Sequence, residues 1–187
     1  MANCRKRSLS HAHLAAAAAA IAVATLLLTT SRRAAAEAEQ QPIQLHFYMH
    51  DVVTGPGATA AEVVHGTATA ARFGKVVVMD DLLTEGADRG SPPVGRAQGF
   101  YVFAALDADA PALLFSMNVV LAAGPYGGST VAVMGRDNFA RLPVRELPVV
   151  GGTGRFRMAR GYALVRTAGE HGKNAVLEID LFVHAPY

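Results

Sequence analysis

The chain has 187 residues, 51% of them hydrophobic, and a formal net charge of +2. Five of its 17 lysines and arginines and none of its 15 acids lie in residues 1–36, so the remainder carries 12 basic against 15 acidic side chains, a net of −3. That remainder lacks the basic footprint nucleic-acid binding requires.

The N-terminal segment opens with Arg5, Lys6 and Arg7, continues with an apolar run of 15 residues from Leu14 to Leu28, and ends in the small residues Ala34, Ala35 and Ala36. This is the pattern of a secretory signal. The run is short for a membrane span, which needs about 20 residues. The expectation is a signal over 1–36, a flexible arm over 37–43 and one folded domain over 44–187, secreted and not membrane-embedded. The single cysteine, Cys4, falls inside the signal. The domain therefore has neither a disulfide framework nor thiol chemistry, and its stability must come from its core. No Asn-X-Ser/Thr acceptor occurs in it.

Beyond residue 43 the sequence is a succession of short strand-like runs, near 44–53, 62–71, 75–84, 94–106, 112–122, 129–137, 144–150 with 155–167, and 174–185. Between them stand turn clusters such as GPGA (55–58), GSPP (90–93), DADAP (107–111), GPYGGS (124–129) and GEHGKN (169–174). The punctuation predicts an all-β meander. Leu45, Phe47 and Met49 alternate with His46, Tyr48 and His50, and Leu177, Ile179, Leu181 and Val183 share one face of the last run, a period of two. Several runs, such as ALLFSMNVVLA (112–122), carry large side chains on both faces. A closed antiparallel barrel of about eight strands, its outer face packed on a partner subunit, satisfies both faces and leaves no open edge.

The cluster VVGGTGRFRMARGYAL (149–164) invites comparison with a dinucleotide fingerprint. That fingerprint needs a helix after the glycines, then a further strand and an acid. Here Arg157 takes the place of the last glycine, a strand-like run follows, and only about 30 residues remain. The glycines serve a sharp bend or a close backbone approach instead. His46 and His50 lie about 13 Å apart on a strand, too far to share an ion. There is no G-x-S-x-G elbow. No cofactor motif is present. Asp51, the Asp80–Asp81 pair and Asp137 close strand-like runs. An acid at such a position is either a solvated rim residue or an inward one, whose proton affinity burial raises.

The segments LHFYMHD (45–51), VVVMDDLLTEG (76–86), SPPVGRAQGFYVF (91–103), GGSTVAVMGRD (127–137) and RELPVVGGTGRFRMARGYAL (145–164) resemble plant dirigent proteins, across essentially the whole domain. The resemblance implies an eight-stranded antiparallel β-barrel of the dirigent and allene-oxide-cyclase type, assembled as a homotrimer. It implies a role in lignan or other phenylpropanoid synthesis in the apoplast. There, an external oxidase, a laccase or peroxidase, makes phenoxy radicals from a monolignol such as coniferyl alcohol, and the barrel fixes how two of them couple without oxidising them itself. Carried over onto this chain, the site residues are Asp51, Asp137 and Arg145, with Tyr101 and Phe103 against the substrate ring. GRDNF (135–139) and ARGYAL (159–164) are more similar to other subgroups of the family, some of which form pterocarpans by dehydrating an isoflavanol. Two further functions therefore stand beside radical coupling: a cyclase or dehydratase working through a quinone methide, and a barrel that only binds a small phenol.

Overall fold

The computed structural model describes residues 19–31 and 41–186. Residues 19–31 are helical, and among the described residues no helix is long and apolar enough to cross a membrane. The signal-cleavage region and most of the expected arm lie outside the described residues.

The remainder is built from nine strands: β1 (Ile43–Asp51), β2 (Ala60–Val64), β3 (Val76–Thr84), β4 (Pro93–Phe103), β5 (Leu113–Leu121), β6 (Thr130–Asp137), β7 (Arg145–Thr153), β8 (Arg160–His171) and β9 (Asn174–His184). From β3 to β9 each strand pairs antiparallel with the next, β9 pairs with β1, and β1 returns to β3. The result is a closed eight-stranded antiparallel barrel. β2 is the ninth strand. It takes the edge of β3 at Ala60↔Met79 through Val64↔Val76, beyond the stretch that β1 covers at Tyr48↔Thr84 through His50↔Leu82.

The alternation seen in the sequence sorts side chains between the two faces. Phe47 and Met49, Val77, Met79 and Leu83, Phe115, Met117 and Val119, Val131 and Val133, Leu147, and Ile179, Leu181 and Val183 are all buried. Each large apolar side chain so placed contributes about 1.5–3 kcal/mol. On the outside, Val78, Phe100 and Met134 stay exposed, and the register Val78↔Phe100↔Ser116↔Met134 sets them in one cross-strand row.

Two expectations are corrected. Residues 62–71 do not form a barrel strand: β2 stops at Val64, and 65–75 is a looped segment closed by Thr67 N–H to the Phe73 carbonyl and Lys75 N–H to the Arg72 carbonyl. The alanine- and threonine-rich run lacks the alternating bulky residues that hold a strand in a sheet. β7 also runs on to Thr153, and a 3-10 turn at Gly154–Phe156 precedes β8.

That turn accounts for the glycine cluster. Gly154 has a φ of +61°, and a Cβ on Gly152 would sit 2.5 Å from the Thr130 carbonyl oxygen. The tight path swings Phe156 fully into the core. The cluster is a corner of the barrel rather than a phosphate cradle.

Candidate functional site

Around each rim of an antiparallel barrel, strand ends alternate with strand starts. At one rim this sequence places the end of β1 (Asp51), the end of β4 (Tyr101, Phe103), the start of β5 (Leu113, Phe115), the end of β6 (Asp137), the start of β7 (Arg145), the end of β8 and the start of β9. These residues line one cavity of about 290 Å³. Asp51, Asp137, Arg145, Tyr101 and Phe103, singled out from the sequence, all lie on its wall.

The wall has an aromatic and a polar part. Tyr101 stacks on Phe115 at 5.9 Å and nearly parallel, and Phe103 meets Phe139 edge-on at 6.4 Å. Spacing by two along β4 turns both Tyr101 and Phe103 inward. The Tyr101 hydroxyl donates to Asp51 Oδ2 at 3.0 Å, while Asp51 Oδ1 is buried without a partner. Burial pushes the Asp51 carboxyl up to about 6, against the opposing pull of the Tyr101 hydrogen bond and the Lys75 ammonium. Asp51 can therefore carry a proton at mildly acid pH and present it to the cavity.

Across the cavity Arg145 Nε donates to Asp137 Oδ1 at 3.0 Å, and both side chains are 3% exposed. Burial raises the Asp137 carboxyl above its usual range, and the guanidinium holds that rise in check. The two acids thus have different partners: a neutral phenol for Asp51, a cation for Asp137. Such an arrangement separates a proton donor from a proton acceptor within one pocket.

Three contributions were not foreseen from the sequence. Arg72, between the expected runs 62–71 and 75–84, and Lys75, the first residue of the second, reach the cavity, with the Arg72 guanidinium 4.4 Å above the Phe103 ring. Lys75 is buried and paired to Glu62 at 2.5 Å. The looped path at 65–75, with Arg72 at a φ of +51°, puts these cations there. Asn174, at the start of β9, accepts from the Val53 and Thr54 amides at 2.9 Å each and donates to the Thr54 carbonyl, clamping the chain just beyond Asp51.

The remaining candidates do not join the site. Asp80 is exposed on the outer face and held by Arg96 and Gln98. Asp81 is fully buried but does not line the cavity. His46 pairs with Asp180 outside the barrel, whereas His50 is buried and bonded to Thr84 at 2.7 Å. The two histidines share no ligand position. Asp180 is bracketed by His46 and Arg166, which engage one carboxylate oxygen each.

A family model described as Dirigent-like protein matches residues 43–184, the whole barrel. The chain belongs to the dirigent-like family. Among its relatives are Dirigent protein 1 of Arabidopsis thaliana, 47% identical over 143 residues that cover 74% of this chain and 76% of that one, and Pterocarpan synthase 1 of Glycine max, 42% identical over 155 residues that cover 78% and 80%. A solved pterocarpan synthase dirigent protein superposes on this dirigent barrel with a TM-score of 0.71 at 39% identity, covering 78% of this chain and 86% of that one. A second superposes with a TM-score of 0.72 at 38% identity, covering 79% and 99%.

Proposed function

We propose that this dirigent-family barrel binds a phenolic substrate at its rim cavity and closes a ring through a quinone methide, with Asp51 as the proton donor. The observation that carries the reading is the buried Asp51 carboxyl, held by a neutral phenol, opposite an Asp137 held by Arg145. The similarity to pterocarpan synthases supports it. So does the cavity, which at about 290 Å³ suits one compact ligand.

For a substrate with a benzylic hydroxyl the steps balance without any oxidant. The Asp51 proton joins the departing hydroxyl, the C–O bond breaks, and its electron pair leaves with water. The conjugated phenol passes its proton to the Asp137 carboxylate, which leaves a neutral quinone methide. A second phenolic oxygen of the same substrate attacks the methide carbon and returns a proton to Asp51. Asp137 hands its own proton back to the methide oxygen. The net change is loss of one water. Holding one face of the methide toward the attacking oxygen sets the configuration, and a bias of about 1.4 kcal/mol gives tenfold selectivity.

Radical coupling of monolignols supplied by an external oxidase is the second reading, favoured by the 47% identity to Dirigent protein 1. One experiment separates the two. The purified protein is given a hydroxyisoflavan with no oxidant, or coniferyl alcohol with a one-electron oxidant, and products are resolved on a chiral column. Single-enantiomer ring closure without oxidant supports the first reading. Enantiomeric excess only in the oxidant arm supports the second.

We further propose that residues 1–36 direct the chain out of the cell, and that the exposed row of Val78, Phe100 and Met134 packs against further copies in a homotrimer. Mass spectrometry of the secreted N-terminus and light scattering of the purified protein test these two points.

A further inference from the structure

We propose that Asp81 is a positioning residue for Asp51, and that the two carboxyls hold one proton between them at the junction of β1 and β3. This rests on the assignment of Asp51 as proton donor.

The register places the pair. β1 and β3 are matched at Tyr48↔Thr84, Met49↔Leu83 and His50↔Leu82, so the next step sets Asp51 opposite Asp81. There β1 ends. β2 resumes the edge of β3 only at Ala60↔Met79, and in the gap the Asp80 amide donates to the Thr59 carbonyl. Alternation from the buried Met49 and from the buried Met79 and Leu83 turns both acids inward. Residues directly opposite on paired strands have Cβ atoms about 4.5–5.5 Å apart.

Their hydrogen bonding is incomplete in a complementary way. Asp51 Oδ2 accepts from Tyr101, and Asp81 Oδ1 lies 2.5 Å from Thr59 Oγ1. Asp51 Oδ1 and Asp81 Oδ2 are both buried without a partner. A single proton on either oxygen makes one of them a donor to the other and satisfies both. Two bare carboxylates at this spacing would repel each other in a medium that already disfavours each charge. The groups that act most on the pair are Tyr101 on β4, Lys75 ahead of β3, Asp80 and Arg96 on the outer faces of β3 and β4, and Arg72, which acts on Tyr101. Asp137, Arg145, Glu170 and Lys173 share the cavity wall with Asp51, and His50, Asp88, Arg89 and His171 surround its other side. Burial, followed by the charge of Asp51, pushes the Asp81 carboxyl up to about 7, above the value of about 6 for Asp51. Between those values the pair keeps one proton, which extends the pH range over which the cavity has an acid.

The test is a titration of the protein labelled with ¹³C at the Asp carboxyl carbon, read by NMR without substrate. In the unmodified protein the Asp51 and Asp81 signals should each show two inflections. In Asp51→Asn the Asp81 midpoint should fall by about one pH unit or more as the neighbouring charge is removed. An Asp81 midpoint unchanged in Asp51→Asn, with single-site curves for both groups in the unmodified protein, would overturn the inference. The unmodified curves decide the matter even if a variant fails to fold. Asp81→Asn, whose amide oxygen can still accept from the Thr59 hydroxyl, should move the alkaline half-point of kcat/KM from near 7 toward 6 and leave the rate at pH 5 within about twofold. An unshifted alkaline half-point would also count against the inference. Full turnover in Asp51→Asn would instead overturn the proton-donor assignment, whatever the titration shows.

Discussion

Tyr101 and Asp51 come from strands 50 residues apart in sequence, yet the tyrosine hydroxyl donates to the aspartate at 3.0 Å inside the barrel rim. The bond satisfies one carboxyl oxygen with a neutral donor. It restrains the rotamer of the acid without supplying a cation that would hold it ionised. Lys75 is near enough to act on Asp51 but is itself paired to Glu62.

Asp51→Asn should keep the fold and reduce kcat/KM for ring closure by about 10²–10⁴-fold, the range general acid catalysis supplies. Tyr101→Phe should be milder, about tenfold, because the acid remains. Loss of the tyrosine bond should also raise the Asp51 carboxyl, since that bond opposes the effect of burial. Rates across pH for the two variants check both statements.

The Asp137–Arg145 pair is buried on both sides. Arg145→Leu leaves an unpaired buried carboxylate and should cost about 3–5 kcal/mol in urea unfolding. Asp137→Asn keeps an acceptor for Arg145 Nε and should cost less than half of that, while removing the proton acceptor from the cavity. Equal costs for the two variants would contradict the pairing as described.

Stability should fall as pH rises from about 4 to 7. The folded-state values of Asp51, Asp81 and Asp137 are raised above the ordinary carboxylate range, so the folded protein binds more protons than the unfolded chain in that window. Their contribution is complete below the unfolded value and is lost as each group ionises. His50 works the other way, because burial lowers its value and the unfolded chain takes up the proton first. Three acids outweigh one histidine. Below pH 4 the paired acids Asp80 and Asp180, with lowered values, reverse the slope. Thermal melts from pH 4 to 7 should show a decline that is shallower in Asp81→Asn.

Asn174→Ala removes the clamp on Val53 and Thr54. Net contributions of about 0.5–1.5 kcal/mol for each of the clamp's three hydrogen bonds to the backbone predict a loss of about 1.5–4.5 kcal/mol. The greater effect should be on kcat/KM, since the segment after Asp51 is freed. Denaturation curves and kinetics on the same preparation measure the two separately.

The barrel was legible because strands such as β1 and β9 alternate and the turn clusters fall between the runs. β2 and the loop after it were misread because alanine and threonine fit strand or loop equally, and only pairing to the edge of β3 ends the strand at Val64. Asp51 and Asp137 each close a strand-like run, as Asp80 and Asp81 do; the resemblance to dirigent proteins, not the pattern, singles the first two out. Asp80 and Asp81 are adjacent and chemically identical in sequence; strand alternation sends one outward and the other into the core, and only the phase of the neighbouring Val77, Met79 and Leu83 separates them. Arg72, Lys75 and Asn174 carried no local signal, since irregular backbone brings them to the rim.

The most direct test of the central claim is turnover of a hydroxyisoflavan by the purified protein without oxidant, measured beside Asp51→Asn at pH 5. The expected result is loss of water, a single product enantiomer, and a variant that folds but turns over at least about a hundredfold more slowly. Equal rates for the two proteins, or no turnover by the unmodified one, would contradict it.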